Sequence, residues 1–338
     1  MSTITNNSDF LFLYDATQSN PNGDPDQENK PRMDYDTKTN LVTDVRVKRF
    51  IRDYLKMKGN PIFVDMEGDS KVSVDSKLII TLDKLLSQED QKNDIFKDKP
   101  KLKERFEKII ENKKKDEGIA DALKNKEILK DKENQKLNYH ILKEIVKKKY
   151  PDLRMFGSAF AVQGFSKSYT GAIQLNWGYS LNKVELMDSD SLVTIMNDGS
   201  STFGKDYRVH YSLLAFNGTV NKFAAQTTGL SDNDMELFRE GIWNSITALP
   251  TRSKLNQYPK LYLEIIYNDE YHNGYFGDLR NYVEAQPKEG IQDKQVRGIN
   301  DLNLDFSKLE KLINDNKGEG KPINDIIVYQ SDDLELNL

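Results

Sequence analysis

Apolar and polar positions alternate along this 338-residue chain in two different rhythms, one suited to strands and one to helices. FLFLYDAT, residues 10–17, is a short aromatic-rich run ending in turn formers, and it reads as a buried strand. The tract that follows, TQSNPNGDPDQENKPRMD, is rich in proline, glycine and Asx and must be a loop. Thr43 or Asp44 can cap a helix in which Val47, Ile51, Tyr54 and Leu55 recur at i, i+4, i+7 and i+8 as one apolar stripe. Residues 61–65 and 71–81 read as short strands. From about residue 88 to 150 the period lengthens, and KLKERFEKII, DALKNKEIL and YHILKEIVKKKY each carry helical spacing with polar breaks between them.

Beyond this stretch SAFAVQGF (158–165) and GAIQLNWGYSL (171–181) return to strand character around the polar SKSYT, which suggests a hairpin with a longer turn. A polar, glycine-bearing stretch from 184 to 206 leads into RVHYSLLAFNGTV. Ser231 with Asp234 three residues on resembles a capping box, and Met235, Phe238, Ile242 and Ile246 continue as an amphipathic helix. LYLEIIYN from Leu261 is a strand, and the loop-rich remainder holds a helix near 307–314 and a last strand at 326–329. With the helical insert lifted out, the order is strand, helix, strand, strand, helix, strand. That predicts an α+β fold of the ferredoxin-like, split βαβ kind, which is also the topology of RNA-recognition modules.

Composition narrows the chemistry. With no cysteine, disulfides, thiolate metal sites and a cysteine nucleophile are excluded, and a reducing compartment fits. MSTITNNSDF has no basic start or apolar core, and no apolar run approaches the roughly 20 residues a bilayer span needs. A soluble, cytoplasmic protein without a membrane partner is expected. His140, His210 and His272 are widely separated and in no ligand pattern, and no phosphate-cradling glycine loop or nucleophile elbow is present, so no cofactor and no metal are expected. Asp24, Asp26 and Asp34 cluster after the first strand, as oxygen ligands to a divalent ion would, but Asx beside Gly and Pro is also ordinary turn chemistry.

The formal charge of -5 hides an uneven distribution. Residues 92–149 hold 19 Lys/Arg against 12 Asp/Glu, which leaves 30 against 42 for the rest. On the first helix Arg46, Lys48, Arg49 and Arg52 place four cations on about three turns, opposed by Asp44 and Asp53. Such a row suits a single-stranded RNA backbone, because each neutralised phosphate releases condensed counterions; it equally suits a solvated face making intramolecular ion pairs. QGFSKSYTG joins Lys167 to the aromatic faces of Phe165 and Tyr169, and Thr251, Arg252, Ser253 and Lys254 join cations to hydroxyl donors. Aromatic stacking contributes about 1–3 kcal/mol per base whatever the base.

Five ordered blocks carry a resemblance: residues 16–55, DLRMFGSAF (152–160), AIQLNWGYSLNKVELMDSD (172–190), STFGKDYRVHYSLLAFNG (201–218) and LPTRSKLNQYPKLYLE (249–264). Together they resemble the backbone-subunit (Cas-seven) family of type I CRISPR Cascade, nearest its I-B subtype. The resemblance implies a right-hand-shaped subunit. Its palm would be RRM-like and formed by residues 1–64, 151–183 and 207–338, the last with a C-terminal extension. Residues 65–150 would form an inserted helical fingers lobe, and 184–206 a thumb hairpin. Copies would polymerise along one CRISPR RNA beside other Cascade subunits, holding the guide for pairing with target DNA, without catalysis of their own. By position in the family blocks, Arg46, Lys48, Arg49 and Arg52 are the first candidates for RNA contact. Lys167, Tyr169, Arg252, Ser253 and Lys254 come second, with Asn20 and Asn22 as weaker ones, and Leu192, Ile195, Met196 and Phe203 are candidates for the thumb wedge. Type III relatives cleave RNA with an acidic loop residue, so a metal-dependent endoribonuclease acting through Asp24, Asp26 or Asp34 is the alternative.

Overall fold

The computed structural model describes residues 2–67, 70–71, 73–187, 190–195 and 201–338, with the backbone path alone for 66–67, 70–71, 190–195 and 201–204. The described chain forms two compact units. One is helical and comprises Leu55–Ala172 with Phe223–Met235 and the first few residues; the other comprises Thr5–Tyr54, Ile173–Lys222 and Glu236–Leu338 and contains the main sheet.

In the helical unit, Glu89–Phe96, Pro100–Glu111, Ile119–Leu123 and Lys132–Lys148 are helices, as the lengthened period predicts. Their stripes meet in a core that includes Phe96, Phe106, Leu137, Ile141 and Leu142. Two expectations fail here. Where a strand was expected at 71–81, Val74–Ser87 is a helix. The Ser73 hydroxyl caps it by accepting the Ser76 N–H at 3.1 Å. Leu78, Leu82, Leu85 and Leu86 bury one face, and that spacing outweighs the β-branched residues at its start. Residues 61–65 are irregular, because the amides of Phe63 and Val64 donate to the buried Asp152 carboxylate (2.9 and 3.0 Å) and not to a ladder.

The expected hairpin is also redrawn. Gly157–Phe160 pairs with Lys167–Thr170, so most of SKSYT is a strand and not a turn. Its alternation places Tyr169 inward, 6.2 Å edge-on from Phe160. The capping box at the start of the Asp232–Ala248 helix is present: Asp234 accepts from the Ser231 amide and hydroxyl (2.9 and 2.8 Å) and also takes the fork of Arg154 (2.8 and 2.7 Å).

The main sheet of the sheet-bearing unit includes β1 (Ser8–Ser19), β2 (Thr39–Val42), β3 (Ile173–Leu175), β4 (Gly178–Ser180), β5 (Val209–Val220), β6 (Gln257–Tyr267) and β7 (Ile323–Gln330), with the two-residue strand Met33–Asp34 beyond β2. They lie in the order β7-β6-β1-β5-β4-β2, with β3 also on β5 and every pairing antiparallel. Helix α1 (Asp44–Met57) follows β2, and its predicted stripe Val47, Ile51 and Tyr54 is buried. On one face of β1, Phe10 meets Phe238 of the Asp232–Ala248 helix at 5.4 Å, and Tyr14 stacks on Phe216 at 5.8 Å. On the other, Leu11 and Leu13 pack with Leu279, Phe306 and Leu309 of the C-terminal part. Burial on both faces explains why β1 reads as a continuous apolar run, and β5, where the sequence shows alternation at Val209, Tyr211 and Leu213, is buried on both faces as well. A separate hairpin pairs Asp190–Ile195 with Ser201–Asp206, Val193 lying opposite Phe203.

Two glycines accommodate the aromatic face. A Cβ on Gly178 would lie 2.3 Å from the Phe216 ring, and one on Gly218 would lie 2.2 Å from Phe10. Gly178→Ala should therefore force Phe216 off Tyr14 and cost about 1–3 kcal/mol. Urea denaturation of the full chain checks this, and an unchanged midpoint would show that the ring has room to move.

Candidate nucleic-acid interface

The C-terminal end of β1 is laced to the 251–256 loop by backbone bonds. Thr17 N–H donates to Asn256 O and Asn20 N–H to Ser253 O, both at 2.9 Å. Arg252–Lys254 is a single 3-10 turn, and the Lys254 ammonium donates to the Asn20 carbonyl. The Asn20 side-chain amide donates to Asn29 O at 2.7 Å, folding the proline-glycine loop back. Asn22 fastens that loop to the start of α1: its Oδ1 accepts from both the amide and the hydroxyl of Thr43 at 2.9 Å. These bonds place Asn20, Asn22, Ser253, Lys254 and the first turn of α1 in one neighbourhood.

Arg46 completes it. Its guanidinium lies over the Phe50 ring at 4.0 Å, and burial holds its pKa below the ordinary range. Burial in the first place, and repulsion from Arg46 in the second, push the Lys254 ammonium down to about 7. Among the described residues no carboxylate forms an ion pair with either cation, and Arg46 feels Asp53 only at longer range. Arg46 Nε, Asn20 Oδ1, Ser19 Oγ and Tyr14 OH are all buried without a hydrogen-bond partner. Buried polar groups are nearly always bonded, so three unpartnered donors, Arg46 Nε and the Ser19 and Tyr14 hydroxyls, near two cations mark a place suited to an external polyanion, while Asn20 Oδ1 can only accept.

The other cations of α1 are engaged. Lys48 pairs with Asp44 at 2.8 Å, and Arg49 grips Asp53 through Nε at 2.9 Å and through Nη2. Arg52 is partly buried and also has a partner. The Lys48 and Arg49 pairs are i, i+4 contacts of the weak, exchangeable kind. The geometry therefore moves the emphasis from the whole row to Arg46, and brings it to Lys254.

Beside this pair, Asp206 takes two guanidiniums, Arg252 at 2.9 Å and Arg208 at 2.8 Å, while Arg208 also donates to Gln18 O at 2.9 Å. Arg208 was missed in the sequence. Its only signal was a cation at the entry to an apolar strand, directly after KDY.

A family model described as "CRISPR-associated protein Cas7" matches residues 6–307. The chain belongs to this Cas7 family. A curated relative, CRISPR-associated protein Cas7 from Haloferax volcanii, is 28% identical over 335 residues, covering 92% of this chain and 84% of its own. Among solved structures, a chain of a "CRISPR RNA-guided surveillance complex, pre-nicking" aligns over 79% of this chain and 80% of its own at 13% identity and a TM-score of 0.45. A chain of a "CRISPR RNA-guided surveillance complex" aligns over 80% and 72% at 11% identity and a TM-score of 0.36. Family membership does not rest on these two.

The remaining expected residues of this Cas7-family chain fall elsewhere. Lys167 and Tyr169 belong to the helical unit. Lys167 Nζ lies over the rings of Tyr139 (5.8 Å) and Tyr169 (5.1 Å), but Tyr169 is 3% exposed within that unit's core, so its ring serves packing and has no free face for a base. Leu192, Ile195 and Phe203 lie on the two strands of the 190–206 hairpin; their side chains, and Met196 entirely, lie outside the described residues. In the acidic loop, Asp24 accepts from Asp26 N–H and pairs with Arg32 at 3.3 Å, while Asp34 accepts from Asp36 N–H and the Thr37 hydroxyl. These are the bonds of turn residues. Among the described residues no three metal-ligating side chains converge, and no helix is long and apolar enough to cross a membrane.

Proposed function

We propose that this chain is a non-catalytic, guide-RNA-binding backbone subunit of a type I CRISPR surveillance complex. Family membership supports the class. The observation that carries the site is the meeting of Arg46 and Lys254, far apart in sequence, near buried polar groups that lack partners. In the order β6-β1-β5 followed by β3 or β4, the sheet follows the 4-1-3-2 arrangement of a ferredoxin-like unit, which supports reading it as an RRM-like palm. The helical unit is then the fingers, and the 190–206 hairpin a thumb in which Leu192, Ile195, Met196 and Phe203 are the candidates for a wedge.

In this reading Arg46 and Lys254 take a phosphate, with Arg252, Arg208 and the exchangeable Lys48 and Arg49 extending the track. Phosphate contacts position the strand without reading it, which leaves the bases free to pair with target DNA. One subunit with a handful of such contacts binds weakly; copies side by side on one RNA gain from effective concentration. Nucleic acid extracted from the purified protein and sequenced should be CRISPR RNA of uniform length. Protein that purifies free of nucleic acid, or with random cellular RNA, would overturn the proposal.

A further inference from the structure

The two cations at the end of β1 meet a surplus of donors. Lys254 gives its ammonium to the Asn20 carbonyl and has no other bond among the described residues. Arg46 lies over Phe50 at 4.0 Å with its Nε buried and unpartnered. The hydroxyls of Tyr14 and Ser19, both 0% exposed, are unpartnered as well. Electrostatically Arg46 feels Tyr14, Asp53 and Arg49, and Lys254 feels Arg46. Asp53 is already gripped by Arg49.

An ammonium is a donor only, so it cannot answer the guanidinium or the two hydroxyls. A guide phosphate answers them in the RNA-loaded subunit. An anion carried on the lysine nitrogen itself would answer them without RNA. Lys254 has the reactivity to acquire one. Burial in the first place, and Arg46 in the second, hold it down to about 7, so above neutrality most of it is uncharged amine. A lysine at the ordinary 10.5 is uncharged in only about one part in a thousand at about pH 7.5. A desolvated lysine beside a second cation is a recognised form of activated nucleophile.

We propose that in the chain free of RNA Lys254 combines with carbon dioxide and carries a carbamate paired with Arg46. The uncharged Nζ attacks the carbon of carbon dioxide. One C–N bond forms, one C=O π pair moves onto oxygen, and one Nζ proton leaves to solvent. The remaining N–H can keep the Asn20 carbonyl as its acceptor, and the new carboxylate offers the guanidinium a charge-assisted partner. The Tyr14 and Ser19 hydroxyls are donors in the same neighbourhood. The modification stands on the chain's own groups, and only its consequence rests on the guide reading. If Lys254 holds a guide phosphate, carbon dioxide and RNA compete for one nitrogen, and the carbamate turns a cation of the track into an anion.

The test takes the full chain, freed of nucleic acid by nuclease and high salt and checked by circular dichroism, into carbon-13 bicarbonate at about pH 8. Two carbamate resonances are expected, one from the amino terminus, whose amine also titrates near neutrality, and one from Lys254. Lys254→Met should keep the first and lose the second. Arg46→Gln should lower the second several-fold at equal pH, because it both raises the amine's pKa and removes the anion's partner. Trapping of the wild-type carbamate with triethyloxonium, followed by peptide mass spectrometry, should place the ester on Lys254 and needs no variant. Raising bicarbonate at constant pH and ionic strength should weaken RNA binding about tenfold, and loading RNA should erase the Lys254 resonance. Absence of a second resonance, its persistence in Lys254→Met, or ester spread over the exposed lysines overturns the proposal. A Lys254 carbamate that survives RNA loading upholds it and removes Lys254 from the guide track.

Discussion

Converting Arg46 and Lys254 together to glutamine should lower affinity for single-stranded RNA by about 10²-fold at physiological salt, since hydrogen bonds to charged groups contribute about 1.5–3 kcal/mol each. The salt slope should fall by about 0.7, the value for one phosphate no longer neutralised. Lys48→Gln and Arg49→Gln should each do much less, because each removes an ion pair with its own helix along with any hold on the strand. The same site makes binding sensitive to pH. Burial and Arg46 together hold Lys254 at about 7, against an ordinary 10.5. A phosphate beside it favours the ammonium, so binding above neutrality takes up a proton. Affinity should be flat below pH 7 and decline as pH rises above it, by at most about tenfold per unit. Lys254→Met should abolish that decline, and Arg46→Gln should move its onset upward by removing the repulsion. For stability the sign is opposite: a lysine whose pKa is lowered by folding contributes stability above its unfolded value, and that contribution is lost as pH falls through about 7. A pH-independent affinity in the wild-type chain would remove Lys254 from the RNA track.

Glu264→Gln should cost about 3–5 kcal/mol of stability, the usual penalty for breaking a buried, hydrogen-bonded charge pair from one side. Glu264 lies on β6 opposite Phe10 and is 1% exposed. Its carboxylate accepts from the Ser8 hydroxyl at 2.6 Å, the Tyr262 hydroxyl at 2.8 Å, and Arg239 at 2.8 and 3.2 Å. The neutral amide keeps the shape but loses the charge and offers two hydrogens to a cluster that already consists of donors. Arg239, whose pKa is raised by this partner in spite of its burial, is then left uncompensated. The double variant Glu264→Leu, Arg239→Met should recover part of the loss, since apolar replacement of both partners removes the stranded charge. Guanidinium denaturation with each variant measures both effects. A loss under about 1 kcal/mol for Glu264→Gln would show that water reaches the pair.

Helix α1 was legible because its apolar stripe and its Thr43 start agree, and β1 because an unbroken apolar run has few other uses. What misled were segments whose backbone partners come from far away in sequence. Residues 61–65 have the composition of a strand, but their amides are satisfied by Asp152, about ninety residues on. SKSYT looks like a turn until Tyr169 is seen to face Phe160. The site divides in the same way. The pairing of Lys48 with Asp44 and of Arg49 with Asp53 was available from their i, i+4 spacing. That Arg46 would stand beside Lys254, and that Arg208 would share Asp206 with Arg252, depends on strand register and loop lacing that no local pattern encodes.

The family match ends at residue 307, whereas β7 lies at 323–330 and occupies the free side of β6 along most of its length. Leu334 and Leu336 then bury themselves against the same unit. This last stretch works as a selvedge. Without it, a row of amides and carbonyls on β6 would stand open to any passing strand, and copies of the chain would be liable to pair edge to edge.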